Sequence, residues 1–438
     1  METKKFADLS LDMHKKHTII DNILLSCLFF IFLSVSMTRH ETVPVISSDP
    51  EGYYVYLPAM FVYDGVHHIP EPGFCGSMRN EKGEYYTKFT YGIALFYSPF
   101  FLVAHLYAHI FHVTPYGYSK PYQNALVLCG VFWAFVGLYL FKTLLLRYFS
   151  RLTMWITLLC IMLGTNFFNY ATLEMGMSHV YSFALFAAVI LVTDQYYKAP
   201  SLRKAMLIGL LMGWIVLVRP TNIALVIFLF LYKVVNAGDL KERWKFIKAH
   251  IAHLLAALPF FIVLMIPQMI YWKEMTGQWI KYSYNDERFI YWSHPKIASV
   301  LFDVENGLFL YSPVLLFLFW ALFRKRKDQR TNFWGVSIVF VIITYLFASW
   351  DIWWFGGAFG HRCYVEYFTA LGFPLAVTME GITKLKKNLF KIPLFLFIAL
   401  FCYYSVGMAT IYLTYGIWDG PHWRWNWDGW IGLVKKIF

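Results

Sequence analysis

Charged side chains are scarce in this chain, and their scarcity argues against a soluble protein. Asp, Glu, Lys and Arg make up only 15% of the 438 residues, while 59% are hydrophobic and 21% are aromatic. Soluble domains average about 25% charged residues, which they need to cover their surface. Because backbone groups in lipid must be satisfied within helices, the composition predicts an all-α polytopic membrane protein.

Cysteine is also scarce, and its spacing predicts no metal site. The six cysteines lie at positions 27, 75, 129, 160, 363 and 402, and none of the intervals is that of a metal-ligand motif. We therefore expect no bound metal and no cofactor. Cys75 and Cys363 are both predicted to face outward and could pair, although the sequence does not indicate that they meet. The chain also shows no inverted repeat.

Lys and Arg are not gathered into one patch, despite a formal net charge of +12. They recur in alternate loops, which indicates membrane topology rather than nucleic-acid binding. The positive-inside rule predicts a cytoplasmic amino terminus, a periplasmic carboxyl terminus and about 11 transmembrane helices. These predicted spans are residues 19–37, 125–146, 154–168, 180–196, 206–218, 223–235, 253–271, 308–323, 333–348, 364–378 and 393–415.

Residues 1–438 are read as one membrane-embedded domain. It has a cytoplasmic head (1–18), a first external loop (38–123) and a Trp-rich external tail (416–438). Within the loop, residues 91–113 are predicted to lie along the outer interface as an amphipathic helix, or to dip in and return. The recurring His105, His109 and His112 are interpreted as the polar face of that helix, because no carboxylate or Cys nearby completes a metal-ligand set.

The predicted topology brings the chemically capable side chains to the outer ends of the spans. They are Asp49, Glu51, Lys88, Glu174, His179, Arg219, Tyr311, Asp351, His361 and Arg362. Ionisable groups at membrane depth usually line a wet cavity or serve a function, although an ordinary solvated loop is the alternative for any one of them. A carboxylate such as Asp49, beside Tyr53 and Tyr54 at the membrane edge, suits an enzyme that acts on a lipid headgroup.

The stretch 349–362 is the second candidate for a site. Three glycines would let its backbone approach a ligand closely, and Arg362 offers a planar donor fork suited to phosphate. Its tryptophans, which include Trp350 and Trp354, could equally form an interfacial aromatic belt.

Six short motifs resemble the GT-C glycosyltransferases, in particular bacterial members related to the protein mannosyltransferase and aminoarabinose transferase group. In chain order the motifs are SDPEGYY (48–54), KFTYG (88–92), SPFF (98–101), VRPTN (218–222), GLFLYSP (307–313) and FGHR (359–362). The resemblance implies a GT-C-like fold with a large first periplasmic loop that carries juxtamembrane helices. A Pro separates the two carboxylates, where better-known members have an Asp-Glu pair.

The resemblance further implies a hexosyl- or pentosyltransferase in the bacterial inner membrane. Its donor would be a polyprenyl-phosphate sugar, its acceptor a glycan, lipid or protein, and its reaction inverting. Asp49 is then the expected general base with Glu51 beside it, and Arg362, His361, Arg219 and Lys88 are expected to bind the lipid phosphate. The expected substrate contacts are Tyr53, Tyr54, Glu174, His179, Tyr311, Trp350, Asp351 and Trp354. A secondary transporter or a lipid-binding membrane protein is the alternative.

Overall fold

The computed structural model describes residues 2–71, 76–282, 284, 287–414 and 426–438, which are mostly helical. In chain order the helices of these residues are α1 (Glu2–Arg39), α2 (Asp49–Tyr54), α3 (Tyr56–Phe61), α4 (Ala94–Ile110), α5 (Lys120–Leu145), α6 (Arg151–Gly164), α7 (Phe167–Thr172), α8 (His179–Lys198), α9 (Leu202–Val218), α10 (Leu225–Phe230), α11 (Ala237–Ala249), α12 (Ile251–Val263), α13 (Met265–Thr276), α14 (Ile297–Phe302), α15 (Leu308–Tyr311), α16 (Leu318–Arg324), α17 (Phe333–Ser349), α18 (Phe368–Thr383), α19 (Asn388–Thr414) and α20 (Trp427–Ile437). Short 3-10 turns lie at Val66–His68, Pro220–Ala224, Pro313–Phe317, Gln329–Thr331 and Arg362–Tyr364.

Six helical stretches in the described residues are long and apolar enough to cross a membrane. They are Thr18–Arg39, Lys120–Leu145, His179–Lys198, Ile251–Thr276, Gln329–Ser349 and Asn388–Tyr412. The prediction of an all-α, multi-pass membrane protein is therefore confirmed. Every one of the other predicted spans contains helix, but those helices are shorter than about 20 residues, so the count of eleven stays a prediction.

Proline divides two of the predicted spans. The segment 308–323 consists of α15, a 3-10 turn and α16, and the first break falls at Ser312, just before Pro313. The segment 253–271 is divided between α12 and α13 at Leu264, three residues before Pro267. A Pro cannot donate to the carbonyl four residues earlier, and its ring crowds that carbonyl.

Residues 169–178 lie between the predicted spans 154–168 and 180–196, which makes them an external loop in the predicted topology, and most of their side chains are buried within the protein. They include the end of α7, and Asn169, Thr172 and Ser178 have at most 1% of their surface exposed. Gly176 lies against α2, where an added Cβ would come within 2.9 Å of the Pro50 ring. This buried segment therefore packs against the helix that begins at Asp49 and supports it.

Glycine lets several of the apolar helices approach one another closely. A Cβ on Gly209 of α9 would lie 2.2 Å from the Ala257 carbonyl oxygen of α12, and one on Gly213 would lie 2.4 Å from the Phe261 oxygen. The two glycines are four residues apart and so share one helix face. Small residues in this spacing are a common means of packing helices in membranes.

We expect Gly213→Ala to destabilise the protein by about 1–3 kcal/mol, because the new methyl group would meet backbone atoms that cannot rotate away. Thermal unfolding of the purified protein in detergent checks this. Gly432→Ala in α20 is the control, since its Cβ would enter open space. Equal melting temperatures for Gly213→Ala and wild type would contradict the close α9–α12 contact.

A small hairpin and a long loop are fixed beside α2. Strand β1 (Ser77–Arg79) pairs antiparallel with β2 (Tyr85–Thr87), with Met78 opposite Tyr86. Thr87 ties this hairpin to α2, because its Oγ1 donates to the Gly52 carbonyl oxygen over 2.9 Å. The loop after α13 is fixed to the end of α17, since the amides of Tyr291 and Lys296 donate to the Ser349 and Ala348 carbonyls.

Helix α4 occupies most of the apolar stretch 91–113 of the predicted external loop. It packs against α5 and exposes Leu102, Val103 and Leu106 on its other side. His105 and His109 lie on it with their Nε2 atoms 3.2 Å apart, and His105 Nδ1 is 2.6 Å from the Tyr122 hydroxyl. Among the described residues, no group of three or more His, Cys, Asp or Glu side chains could hold a metal ion.

The predicted external tail is described only in part. Helix α20 packs on α19, where the Tyr403 hydroxyl donates to the Ile437 carbonyl oxygen over 3.0 Å. Residues 416–425 of the tail lie outside the described residues. Cys75 also lies outside them, so the structure does not test whether it pairs with Cys363.

Candidate active site

Six of the predicted site residues line one cavity of about 320 Å³. They come from α2, the residues after β2, the end of α9, the end of α17 and the 3-10 turn before α18. The six are Asp49, Tyr53, Lys88, Arg219, Trp350 and Arg362. The structure thus brings together side chains that lie more than 300 positions apart in the sequence.

An ion pair between Asp49 and Arg362 lies at this cavity. The Asp49 Oδ2 atom is 3.2 Å from Arg362 Nη1, and about a fifth of each side chain is exposed. Helix α2 begins at Asp49, and Pro50 follows it. Pro is suited to the first turn of a helix because the backbone N–H that it lacks would have no partner there, and the Asp49 carboxylate complements the positive end of the helix. The Arg362 Nε atom is buried without a hydrogen-bond partner in the described structure.

The helical form of residues 49–54 separates the two carboxylates that the sequence placed side by side. Side chains four apart on a helix share a face, whereas those two apart point in different directions. Asp49 and Tyr53 accordingly line the cavity together, and Glu51 is not among the lining residues. Glu51 instead lies near Tyr118, and burial together with this carboxylate raises the pKa of the Tyr118 hydroxyl.

Lys88 forms the second ion pair of the cavity, with a partner that the sequence did not indicate. Its Nζ lies 2.8 Å from Glu287 Oε1 and 5.2 Å from the centre of the Tyr284 ring. Burial alone would lower the pKa of Lys88, but Glu287 and Asp49 outweigh it and the pKa is raised. Lys88 is therefore a cation at neutral pH. Glu287 lies in an aromatic loop without periodicity, which offered no signal for a role.

Arg219 reaches the cavity from the end of α9. Its Nη1 atom donates to the Cys363 sulfur over 3.1 Å and lies 3.5 Å from Oε1 of Glu366. Glu366 is fully buried and was also missed in the sequence. The sequence did contain a signal for Glu366, which is a lone carboxylate in an apolar stretch at the start of a predicted span. Such residues usually have a functional role.

The described lining of the cavity carries an excess of positive charge. It contains four cationic side chains, Lys88, Arg219, Lys281 and Arg362, and two carboxylates, Asp49 and Glu287. Arg and Lys in a partly enclosed space attract anions and donate to phosphate oxygens. The cavity is therefore suited to a ligand that bears a phosphate.

Aromatic rings form another part of the lining. Tyr53 and Phe89 have ring centres 4.6 Å apart, while Trp350 is in edge contact with Phe289 at 4.9 Å and Tyr284 at 5.8 Å. Aromatic rings combine apolar area with defined geometry, and Tyr and Trp add a polar group. The cavity thus places ring faces beside cations.

His361, predicted to bind phosphate, lies behind the cavity lining. Its Nε2 atom is 3.1 Å from the Trp353 carbonyl oxygen, and its ring stacks on Phe347. Burial lowers the pKa of His361 to about 3, so the ring is neutral at pH 7. We therefore expect no positive charge from His361 toward a phosphate.

This pKa predicts a pH dependence of stability. An unfolded His has a pKa of about 6.5, so between about pH 6.5 and 3 the unfolded chain binds a proton that the folded His361 does not. Stability from this residue is present above pH 6.5 and is lost as the pH falls. Between pH 7 and pH 5, the melting temperature should fall less for His361→Gln than for wild type. An equal fall in both proteins would contradict the buried neutral ring.

Glu174 lies close to the Asp49–Arg362 pair without lining the cavity. Its carboxylate accepts from Asn169 Nδ2 over 3.0 Å. Burial raises the pKa of Glu174, while Arg362 opposes that shift and the negative charge of Asp49 adds to it. A second carboxylate therefore contributes to the electrostatics around Arg362.

The remaining predicted contacts are outside the cavity lining. The Tyr54 hydroxyl donates to the Gly117 carbonyl, and the Tyr311 hydroxyl donates to the Val304 carbonyl over 2.6 Å. His179 pairs with Glu366 at 3.1 Å. The Asp351 amide donates to the Arg288 carbonyl oxygen. Trp354 is in edge contact with Trp353.

Two glycines of the stretch 349–362, Gly356 and Gly360, have backbone conformations that the fold of this stretch requires. Gly360 has φ +60°, and an added Cβ would lie 2.9 Å from the Cβ of Tyr311. Gly356 has φ +66°, and its carbonyl accepts from Asn306 Nδ2. These left-handed positions turn the chain so that Phe355 and Arg362 both reach the cavity.

The arrangement of helices is similar to that of a solved archaeal oligosaccharyltransferase. This similar structure is one of several, the archaeal oligosaccharyltransferase AglB from Archaeoglobus fulgidus in complex with an inhibitory peptide and a dolichol-phosphate. The TM-score is 0.50 at 13% identity, over 89% of this chain and 55% of that chain. This chain thus corresponds to about half the length of the archaeal enzyme.

A second structure, the apo form of the Archaeoglobus fulgidus oligosaccharyltransferase, gives a TM-score of 0.48 at 14% identity, over 89% of this chain and 56% of that chain. No protein-family model matches the sequence, and no curated protein matches it. The likeness to the first of these two structures confirms the suspected GT-C-like fold.

Proposed function

We propose that the protein is an integral-membrane glycosyltransferase that moves one sugar from a polyprenyl-phosphate carrier to an acceptor. The observation that carries the proposal is the Asp49–Arg362 pair, 3.2 Å apart, in a cavity whose described lining has four cations, two carboxylates and several aromatic rings. Such a transfer needs a general base, cationic hydrogen-bond donors to the phosphate, and aromatic rings that contact the sugar.

Asp49 is the proposed general base. The acceptor hydroxyl gives its proton to the Asp49 carboxylate as its oxygen bonds to the anomeric carbon from the face opposite the leaving group. The bond from that carbon to the phosphate oxygen breaks, and its electron pair leaves with the polyprenyl phosphate. The configuration is therefore inverted, and the leaving phosphate needs no proton from an acid. Base catalysis of this kind contributes about 10²–10⁴-fold.

Arg362, Arg219 and Lys88 are the proposed donors to the phosphate, whose negative charge grows as the sugar leaves. Fixed cations that meet developing charge stabilise the transition state more than the ground state. Arg362 would have two partners, because it also pairs with Asp49 and so orients this carboxylate. Glu51 and His361, which do not line the cavity, are given no direct step.

The size of the cavity favours a single sugar. Small-molecule sites range over about 300–1,000 Å³, and this one, at about 320 Å³, is at the lower end. Tyr53, Tyr284 and Trp350 are the proposed ring contacts for the sugar. A hexose or pentose donor fits better than the oligosaccharide that the name of the archaeal neighbour indicates.

The archaeal neighbour holds a peptide and a dolichol-phosphate. This supports a polyprenyl-phosphate carrier and an acceptor that is a glycan, a lipid or a protein. From the distribution of Lys and Arg along the sequence we place the amino terminus in the cytoplasm and the reaction at the outer face of the membrane. The resemblance to bacterial GT-C glycosyltransferases implies that this membrane is a bacterial inner membrane and that the face is periplasmic.

A reconstituted transfer assay tests the proposal. The protein is placed in liposomes with polyprenyl phosphates that carry a radiolabelled hexose or pentose, together with a membrane extract as acceptor. We expect label to pass from one of these donors to the extract with release of polyprenyl phosphate. Folded wild-type protein that binds the donors but transfers none would indicate a lipid-binding protein, and movement of intact donor between leaflets would indicate a transporter.

A further inference from the structure

Glu366 holds an unusual position directly behind the cavity. Its side chain is fully buried, between the 3-10 turn Arg362–Tyr364 and helix α18. One carboxylate oxygen, Oε2, lies 3.1 Å from His179 Nδ1, while Oε1 accepts from Asn222 Nδ2 over 3.3 Å and lies 3.5 Å from Arg219 Nη1. Three elements, α8, the turn after α9 and the start of α18, therefore converge on one carboxylate.

A buried carboxylate is costly unless it is paired and fully hydrogen-bonded. Glu366 does not line the cavity and so cannot contact a ligand there, but Arg219 both lines the cavity and reaches Glu366. The Arg219 Nη1 atom is also held by the Cys363 sulfur at 3.1 Å. The Nη1 end of the Arg219 guanidinium is thus held by Cys363 and Glu366.

We propose that Glu366 is a positioning residue that holds Arg219 in place to bind the phosphate of the lipid carrier, an inference that rests on the proposed function. His179 and Asn222 fix the orientation of the carboxylate, and the carboxylate in turn fixes Arg219. A planar guanidinium binds phosphate well only when its fork is correctly oriented, so its orientation determines its contribution to binding.

The affinity of the purified protein for farnesyl phosphate, compared with farnesol, measures this role. Hydrogen bonds to charged groups are worth about 1.5–3 kcal/mol, so we expect Glu366→Gln to weaken binding of farnesyl phosphate about 10–100-fold. Binding of farnesol, which lacks the phosphate, should not change. Glu380→Gln is the matched control, because it removes a carboxylate from the far end of the helix that follows Glu366, α18, where Glu380 pairs with Arg330 at 2.9 Å.

A double-mutant cycle separates positioning from a general loss of structure. If Glu366 acts through Arg219, then Glu366→Gln should have little further effect on the affinity in an Arg219→Gln background. A residue that only supports the fold would weaken binding by the same factor in both backgrounds, and that result would overturn the inference. Should Glu366→Gln fail to fold, Asn222→Leu removes one support of the carboxylate and should weaken binding several-fold in the same Arg219-dependent way.

The outcomes distinguish this inference from the proposed function. Wild-type protein that binds farnesyl phosphate no better than farnesol would contradict the phosphate site and hence the proposed function. Selective binding by wild type with equal affinity in Glu366→Gln would overturn only the role of Glu366. Tighter binding in Glu366→Gln would also overturn it, because the carboxylate would then merely screen the charge of Arg219.

Discussion

Asp49→Asn is expected to lower the rate of sugar transfer by about 10²–10⁴-fold while the lipid donor still binds. The amide has nearly the shape of the carboxylate but cannot take a proton from the acceptor hydroxyl. The loss of negative charge also leaves Arg362 free for the donor phosphate, so binding of the donor should stay the same or improve. Transfer and binding are measured on the same preparation in liposomes.

Asp64→Asn is the control for this experiment. Asp64 is exposed, does not line the cavity and has φ +56°, a conformation that Asn adopts as readily as Asp. It should transfer sugar at the wild-type rate. If Asp49→Asn also keeps that rate, Asp49 is not the base and the proposed mechanism is wrong.

Arg362→Ala is expected to lower the transfer rate by about 10²–10³-fold and to weaken binding of the donor as well. The substitution removes the donor fork from the cavity and leaves Asp49 without its partner. Arg362→Lys should recover only part of the rate, because an ammonium group keeps the charge but lacks the planar fork. Steady-state rates over a range of donor concentrations separate the two effects.

Arg203→Ala provides the comparison, since Arg203 is exposed at the opposite end of the helix that ends before Arg219. It should leave both rate and donor affinity unchanged. Full activity of Arg362→Lys would mean that only the charge at this position matters, and full activity of Arg362→Ala would exclude Arg362 from the phosphate site.

The class of protein could be predicted from the sequence because lipid imposes simple rules. Apolar stretches of sufficient length must be helical, and each of the predicted spans contains helix in the described residues. The topology also predicts that Asp49 and Arg362 lie on one side of the membrane, although it does not predict that the two side chains pair. Where the structure differs from the prediction, the physical reason is local.

Glu51 shows one such reason. The sequence was read as a loop, in which Asp49 and Glu51 could both face a substrate, but residues 49–54 form a helix that turns Glu51 to another face. His361 shows a second reason. Its position next to Arg362 in the sequence does not reveal that the ring is fully buried and therefore neutral. Burial is a property of the packed protein rather than of a motif.

Glu287 and Glu366 were missed for a third reason. Each is recognised by its partner, Lys88 for one and Arg219 with His179 for the other, and these partners lie more than 140 residues away along the chain. A single sequence carries no record of such long-range pairs. The cavity and its supporting carboxylate could be found only once the helices were assembled.

Mass spectrometry of the lipids that co-purify with the protein tests the central claim most directly. The comparison uses wild type, Arg362→Ala and Arg203→Ala. We predict that wild type and Arg203→Ala retain a polyprenyl phosphate, with or without a sugar, and that Arg362→Ala loses it. A polyprenyl-phosphate sugar in the wild-type sample would also identify the sugar. Bulk phospholipid alone in all three samples would contradict the assignment of the cavity as the site of a lipid-phosphate donor.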